Sequence, residues 1–380
     1  MFTGIVAVIG AGDMGHGIAE CCALECQTVY LYDIKEEYLL KAMQKINDSL
    51  TILARKHKIK ENQIEEIKKR ILFTTDMKTA VEKAAIIIEA VPEIPDLKKK
   101  VYTNIETFAS TSTIITTNTS TISINELATN LQNATRFIGT HFFNPVIMMK
   151  AVEVIYGKST SSETADKIME FMQVIKKKPV KMPDSPGFVV NRVQASVQIL
   201  LCNAVQRQLI TPDQIDAEMK RIQMPMGAFE IMDFVGLDIS YHVMEQLARY
   251  FGKEYAPPQW LSELVNSGNL GKKTGKGVYD WSNGKASINL DAPPSEITIM
   301  DLMIVQINEA TKILEQQIVN NTTEIDSLII NGTGNPMGIF GLLKSQGKKT
   351  IIDRCSYFSS KLEMDVFKPT KNLLDWDENE

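Results

Sequence analysis

The sequence predicts an α/β fold, a doubly wound parallel sheet over residues 1–184, followed by two tandem all-α domains. Three observations carry that prediction. Up to about residue 183, short apolar runs alternate with amphipathic segments, the pattern of parallel strands covered by helices on both faces. From residue 185 onward strand-like alternation stops and long helical runs take over. The third observation is a repeat: PMGAFEIMDFVG (225–236) aligns without gaps on PMGIFGLLKSQG (336–347), sharing PMG, Phe and the final Gly.

Composition narrows the class further. A chain of 380 residues allows two or three domains and a sizeable core. With 44% hydrophobic and 23% charged residues it reads as an ordinary globular protein. The net charge of −5 argues against a general binder of nucleic acid or of membrane surfaces. No apolar stretch approaches the ~18 residues of a spanning helix, and no signal-peptide pattern precedes the first strand, so a cytoplasmic location is expected. Cys21, Cys22 and Cys26 share one helical segment, Cys202 and Cys355 lie far away, and there is no CxxC pair. Buried reduced thiols are therefore expected in place of disulfides or a metal site.

The first element sets the rest. An apolar run (5–9) feeds a turn with Gly10, Gly12 and Gly15; a helix follows, and a second apolar run (29–32) ends on Asp33. Strand, glycine turn, helix, strand and acid make a Rossmann-type dinucleotide site. Gly10 permits the tight turn, Gly12 lets backbone approach a pyrophosphate, and Gly15 lets helix pack on strand. The helix N-terminus offers N–H groups to the phosphates. Asp33 is placed to accept hydrogen bonds from the adenosine ribose and to repel a 2′-phosphate, which favours NAD over NADP. Asp13 and Met14 complete the turn, although Asp13 puts a negative charge where phosphates belong.

Residues 36–70 read as two helices with a break at 57–60. From Lys41 to Arg70 nine Lys/Arg face four Asp/Glu, a local excess of +5, which is either a solvated face or a landing site for an anionic tail. A strand at 71–74, a helix at 79–84, the strand AAIIIEAV, a helix at 96–109 and a strand at 114–117 continue the alternation. The end of the AAIIIEAV strand carries Glu89, then Glu93 and, five further on, Lys98, and TTNTST (116–121), THFFNP (140–145) and KAVEVI (150–155) put further polar residues at strand ends, where such sheets bind ligands. A helix at 162–175 and a strand at 179–182 close the first domain.

At DSPGFVVNR (184–192) a long buried helix is expected to begin, with Pro186 in its first turn. Thr211 with Gln214 marks the next helix start as a capping box. Residues 185–282 form the first all-α domain, 283–295 a polar linker with Pro293 and Pro294, and 296–380 a degenerate second copy. Each PMG segment is preceded by an Ile-Asp pair (215–216 and 325–326) and, before that, by an apolar helix.

Four histidines narrow the search for a base. His16, His57 and His242 read as structural. His141 ends a strand (136–140) at the edge where a nicotinamide would sit, and an unperturbed imidazole suits proton abstraction at neutral pH. Glu153 in the next strand is the candidate to fix its tautomer, against the plainer reading of an exposed strand acid.

Taken together, VIGAGDMGHGIA, IIEAVPE with Lys98, TNTSTISI, GTHFFNPV, KAVEVI, DSPGFVVNR, PMGAFEIMDFVGLD and GKKTGKGVYDW resemble the L-3-hydroxyacyl-CoA dehydrogenases and their 3-hydroxybutyryl-CoA relatives, in the family's order over residues 1–282. That resemblance implies NAD-dependent oxidation of a 3-hydroxyacyl-CoA, with His141 as base, Glu153 as its partner, and Ser120 and Asn191 bonded to the reacting oxygen. Glu93, Lys98, Asn118 and Asn144 fall where the family contacts the cofactor, and Ser49 and Lys56 where it holds the CoA tail. Pro92 and Pro95 depart from the family pattern beside Glu93. A dehydrogenase of a non-CoA hydroxy acid or sugar acid, and a non-catalytic NAD-binding protein, remain as competing readings. Counting back from Asn308 as Asn191 stands from Asn203 reaches Glu296, so the second copy is expected to be a scaffold that packs internally as a pseudo-dimer and leaves the chain a monomer.

Overall fold

The computed structural model describes residues 4–26 and 28–376. The extreme ends of the sequence-drawn first and last domains lie outside the described residues. The chain divides into two compact units: residues 1–188 with 327–336, and residues 189–326 with 337–380. Both helical repeats thus share one unit, apart from a short segment of the second that belongs to the first unit.

In the first unit, eight strands form one sheet in the order β3-β2-β1-β4-β5-β6-β7-β8. They are β1 (Ile5–Ile9), β2 (Val29–Tyr32), β3 (Ile71–Thr74), β4 (Ala84–Glu89), β5 (Ile114–Thr117), β6 (Phe137–Phe142), β7 (Ala151–Tyr156) and β8 (Lys178–Pro183). Helices α1 (Gly15–Glu25), α2 (Glu36–Arg55), α3 (Ile64–Lys69), α4 (Met77–Val81), α5 (Pro95–Phe108), α6 (Ile124–Leu127) and α7 (Ser162–Val174) connect them. Strand order reverses at β1 and β4, the switch point where such sheets open a crevice. One core joins Val6, Val8, Ile86 and Ile88 of the sheet to Ile18 and Cys22 of α1 and Leu39, Ile46 and Leu50 of α2.

The sheet is not wholly parallel: β6 and β7 pair antiparallel, with His141 directly opposite Glu153. Its cause is the connection, residues 143–150, which is shorter than the dozen or so residues a parallel crossover needs. His141 also lies inside β6, since that strand runs to Phe142. Helix α4 starts earlier than expected, where the Asp76 carboxylate accepts the Thr79 N–H, and ends at Val81 because Ala84 is already in β4.

The second unit holds α8 (Val190–Gln206), α9 (Pro212–Arg221), α10 (Ala228–Val235), α11 (Leu237–Phe251) and α12 (Gln259–Asn266), then α13 (Ile299–Glu315), α14 (Thr322–Thr333), α15 (Ile339–Gln346), α16 (Lys348–Leu362) and α17 (Lys371–Leu374), with α14 passing into the first unit after residue 326. Helix α8 begins four residues after Pro186, because Gly187 (φ 71°) and Phe188 (φ 51°) take left-handed backbone and postpone the first helical turn. At α9 the Thr211 N–H donates to Gln214 Oε1 at 2.8 Å, half of the expected capping box.

The repeats match in form: α8 and α13 have 17 residues each, α10 and α15 have 8, and α11 and α16 have 15. Their apolar residues share one core, with Ile199, Leu201 and Met232 from the first repeat and Leu302, Val305 and Phe358 from the second. Inside it Arg192 of α8 donates through Nε to Glu309 Oε1 of α13 at 2.7 Å and through Nη1 to Gln316 Oε1 at 2.6 Å. Burial works against the Glu309 charge, but Lys312 and Arg192 prevail and hold its carboxyl below the usual range.

Residues 283–295 are not a free tether. The Asn289 N–H donates to Asp213, and Arg221 donates to the carbonyls of Leu290 and Ala292. No helix among the described residues is long and apolar enough to cross a membrane.

Candidate active site

The turn after β1 shows why it needs glycine. Gly10 has φ 104°, and a Cβ there would lie 2.6 Å from the Ala90 carbonyl oxygen; a Cβ on Gly15 would lie 1.8 Å from the Gly10 carbonyl oxygen. Gly12 differs, because a Cβ on it would meet nothing within 4 Å. That open side, beside the start of α1, is where a pyrophosphate would approach. Asp33 reaches back from the end of β2, with Oδ2 accepting the Ala11 N–H at 2.8 Å and Oδ1 the Ile34 N–H at 2.7 Å. Met14 precedes the first residue of α1 without a capping bond. Asp13 points outward and pairs with Lys45 at 2.6 Å, and that ammonium holds its carboxyl below the usual range. The turn, its open side and the acid fit NAD.

A buried polar network extends from the end of β4. Lys98 of α5 is 1% exposed, and its Nζ lies 2.7 Å from Glu89 Oε1 and 3.3 Å from Glu93 Oε2. Glu89 Oε2 also accepts from the hydroxyls of Tyr102 (2.5 Å) and Thr117 (2.8 Å). Glu93 Oε1 accepts from the Thr119 hydroxyl (2.6 Å), the Ser120 N–H (2.8 Å) and the Ser120 hydroxyl (3.2 Å). Burial would raise the Glu93 carboxyl, but Lys98 and these donors outweigh it and hold it low. Lys98 therefore acts inward, fixing Glu93 and through it the loop that carries Ser120. Asn118 is equally structural in part, its Oδ1 accepting the Phe142 N–H at 2.9 Å and so linking β5 to β6.

The strongest feature is the pair the antiparallel register creates. His141 Nδ1 donates to Glu153 Oε2 at 2.6 Å, with the histidine 6% exposed and the glutamate fully buried. A carboxylate held there fixes the tautomer and leaves Nε2 with its lone pair for a substrate proton. Phe143 and Phe188 flank the imidazole, with ring centroids 4.5 Å and 5.9 Å away. Asn144 is exposed in the loop that follows.

Three expected residues stand away from this pair. Ser49 on α2 donates its hydroxyl to the buried Glu20 of α1 at 2.7 Å, and burial pushes the Glu20 carboxyl up to about 7. Lys56 is exposed, just beyond the C-terminal end of the same helix. Asn191 stands in the first turn of α8, in the second unit. Sequence reasoning missed Tyr102 and Glu20, and it gave Thr117 and Phe143 no role of their own within TTNTST and THFFNP. Tyr102 had a signal, since it stands four residues from Lys98 and shares its helix face; Glu20 had none, because an acid in an apolar helix looks like an exposed one. Among the described residues no group of three His, Cys, Asp or Glu could hold a metal.

Comparison with known proteins agrees with this geometry. Residues 5–185 match the 3-hydroxyacyl-CoA dehydrogenase NAD binding domain, and residues 187–281 match the C-terminal domain of the same family. The chain is 37% identical over 291 residues to the 3-hydroxyadipyl-CoA dehydrogenase of Escherichia coli, covering 76% of this chain and 61% of that protein. It is 35% identical over 285 residues to the mitochondrial hydroxyacyl-coenzyme A dehydrogenase of Rattus norvegicus, covering 73% of this chain and 90% of that one. A crystal structure of 3-hydroxybutyryl-CoA dehydrogenase from Escherichia coli superposes with a TM-score of 0.84 at 26% identity, over 99% of this chain and 98% of that one, so the likeness runs through the second helical repeat. A glycine turn fitted to NAD, a buried His–Glu pair on the same sheet and matches across both domains lead to one conclusion: the chain belongs to the 3-hydroxyacyl-CoA dehydrogenase family of NAD-dependent oxidoreductases.

Proposed function

We propose that the protein reversibly oxidises the 3-hydroxyl of an (S)-3-hydroxyacyl-CoA to the ketone, with His141 as base. The observation that carries this reading is the 2.6 Å contact between His141 Nδ1 and Glu153 Oε2 in a buried setting. Bound NAD supplies the acceptor for the hydride that leaves C3. His141 Nε2 takes the hydroxyl proton as that hydride departs, and Glu153 stabilises the imidazolium so formed. Ser120 and Asn191 hold the reacting oxygen so that both transfers share one geometry. Asp33 and the open side of the Gly10–Gly15 turn hold the dinucleotide, with Met14, Glu93, Lys98, Asn118 and Asn144 around it.

Ser49 and Lys56 take the CoA tail. Exposed Lys56 gives charge toward the phosphates, and Ser49 stands seven residues earlier, on α2 itself. The two repeats pack as an internal pseudo-dimer, supported by their shared core, and the chain is a monomer in the cytosol; size measurement and imaging of the tagged protein test these last two points.

Replacing His141 with Gln in the full chain is the direct test. With acetoacetyl-CoA and NADH, kcat falls roughly 10²- to 10⁴-fold and KM changes little, because the base acts mainly in the transition state. Activity within a few-fold of the parent would move the base elsewhere. Free acetoacetate turned over faster than its CoA ester would instead assign the site to non-CoA hydroxy acids.

A further inference from the structure

Residues 327–336 come from the second helical repeat in sequence but belong to the first unit. Here the Lys150 N–H donates to the Asn331 carbonyl at 2.9 Å, immediately before β7 begins. Gly332, the next residue, is buried, and a Cβ on it would lie 3.2 Å from Phe143 Cδ2 and 3.3 Å from Ala151 Cβ. A Cβ on Gly334 would lie 3.7 Å from Met149 Cε, so the segment continues over the same β6–β7 connection.

The register gives this contact its meaning. His141 stands opposite Glu153 and Phe142 opposite Val152, so the next positions along are Phe143 and Ala151. Side chains alternate along a strand, which puts residues 141, 143, 151 and 153 on one face. Gly332 therefore packs on the face that carries the base and its partner, one step further along. It touches the ring that lies 4.5 Å from the imidazole. Gly332 lies within α14 and takes no left-handed backbone. Glycine inside a helix is less stable than alanine there, so its use here calls for a packing reason. Phe143 supplies one.

We infer that the segment around Gly332 is a positioning element of the dehydrogenase site: Gly332 seats the Phe143 ring against His141 and so keeps the imidazole aligned on Glu153. The inference rests on the reading of His141 as the base. It gives the second repeat a part in the chemistry beyond packing, through a residue that touches neither substrate nor cofactor.

Gly332→Val in the full chain tests it, beside Phe143→Leu and the double variant. A branched side chain at 332 must displace the Phe143 ring, so kcat with acetoacetyl-CoA falls at least 10-fold while KM for NADH stays within twofold, and the acid limb of the kcat/KM profile moves. Phe143→Leu puts a smaller side chain there and makes room, and the double variant recovers activity relative to Gly332→Val alone, a coupling that independent effects would not give. A kcat within twofold of the parent in a variant that still binds NADH overturns the inference. So does a loss that Phe143→Leu fails to relieve with the acid limb unmoved. If Gly332→Val does not fold, Gly332→Ala decides: it asks the ring to give by only a few tenths of an ångström, and a kcat loss of threefold or more, relieved by Phe143→Leu, is expected, whereas an unchanged kcat overturns the inference. The failures separate cleanly. An active His141→Gln removes the base, whereas an inactive His141→Gln with a neutral Gly332→Val removes only the positioning role.

Discussion

The two helical repeats share a skeleton and differ in what hangs on it. In the first, Asp216 of α9 accepts the N–H groups of Phe229 and Glu230 at 3.0 and 2.7 Å; in the second, Asp326 of α14 accepts the Phe340 N–H at 3.0 Å. A Cβ on Gly227 or on Gly338 would lie 2.2 Å from that carboxyl carbon, so one close approach demands the same glycine in both copies. This explains why PMG and the Ile-Asp pair survive where the intervening sequence does not. Elsewhere the copies part. Asp233 accepts from the N–H groups of Val278 and Tyr279 and from the Trp281 indole, anchoring the glycine-rich tail, whereas the matching residue of the second repeat is Lys344. When the two 17-residue helices are matched end to end, Met300 stands at the place of Asn191, Asp301 at that of Arg192 and Glu309 at that of Leu200. Helix ends replace the correspondence of Asn191 with Glu296, and neither residue supplies a carboxamide. The aspartate–glycine contact thus occurs in both helical runs, whereas Asn191 and the Asp233 anchor occur only in the first.

Removing one copy is the severest way to break this comparison. Ending the chain after Ser282 deletes Glu309 and strands the buried Arg192, a loss on the scale of 3–5 kcal/mol for a broken buried pair. It also uncovers apolar residues of the shared core, such as Ile199 and Leu201. Light scattering should show the truncated chain dimerising or aggregating and the intact chain monomeric. A truncated chain that stays a well-behaved monomer would mean the repeats fold independently.

The two ion pairs made by α13, one with α8 and one with α16, sharpen the contrast at single residues. Arg192 is 1% exposed and stacks its guanidinium 4.3 Å from the Phe251 ring, while Arg354, which grips Asp301 at 2.6 and 2.7 Å, keeps a side chain 30% exposed. Glu309→Ala should therefore cost about 3–5 kcal/mol and Arg354→Met about 1–2 kcal/mol by denaturant unfolding. Equal losses would show that burial does not separate the two pairs.

The paired aspartates come next. Asp216 is fully buried and accepts a third bond from the Tyr279 hydroxyl at 3.0 Å; Asp326 is half-buried. Asp216→Ala is expected to destabilise by about 2–3 kcal/mol and Asp326→Ala by about 1 kcal/mol. Burial pushes the Asp216 carboxyl up to about 6, against its backbone donors and Tyr279. Because the folded value stands above the unfolded one, this carboxyl's stabilising protonation is complete below about pH 4 and is lost as pH rises through 6. Asp216→Asn should flatten the stability curve between those limits, and thermal melts across pH 4–7 read it out.

How much of this was legible in the sequence depended on the distance between partners. The glycine turn with Asp33 lies within one strand-helix-strand unit, and local spacing revealed it. His141 and Glu153 were legible as neighbours, although their antiparallel register required noticing that residues 143–150 are too few for a crossover. The start of α8 was misplaced because left-handed backbone at Phe188, a bulky residue, has no sequence signature. Arg192 with Glu309, and Gly332 with Phe143, join residues more than a hundred positions apart, and no periodicity reports such contacts. Glu20 escaped for another reason: its burial comes from the packing of α1 and α2, and only that packing turns an ordinary acid into one that titrates near neutrality.

The smallest expected effect lies on the outer face of α10. Ile231, Phe234 and Val235, with Ile239 of α11, are each 40–50% exposed. Matching positions in the second repeat are Leu342, Ser345, Gln346 and Thr350, a more polar set. Giving the first repeat the second's residues, Phe234→Ser with Val235→Gln, removes side chains already half in water. The main loss is the contact of the Lys272 ammonium with the Phe234 ring, 4.5 Å from its centroid, worth about 0.5–1 kcal/mol at an exposed site. Denaturant unfolding should therefore show a change of no more than about 1 kcal/mol, with an unaltered m-value. The reverse exchange, Ser345→Phe with Gln346→Val, should lower solubility by extending an apolar surface without changing the fold. A loss well beyond 1 kcal/mol on the first exchange would mean that the α10 face carries structure, and the difference between the copies there would then belong to the fold.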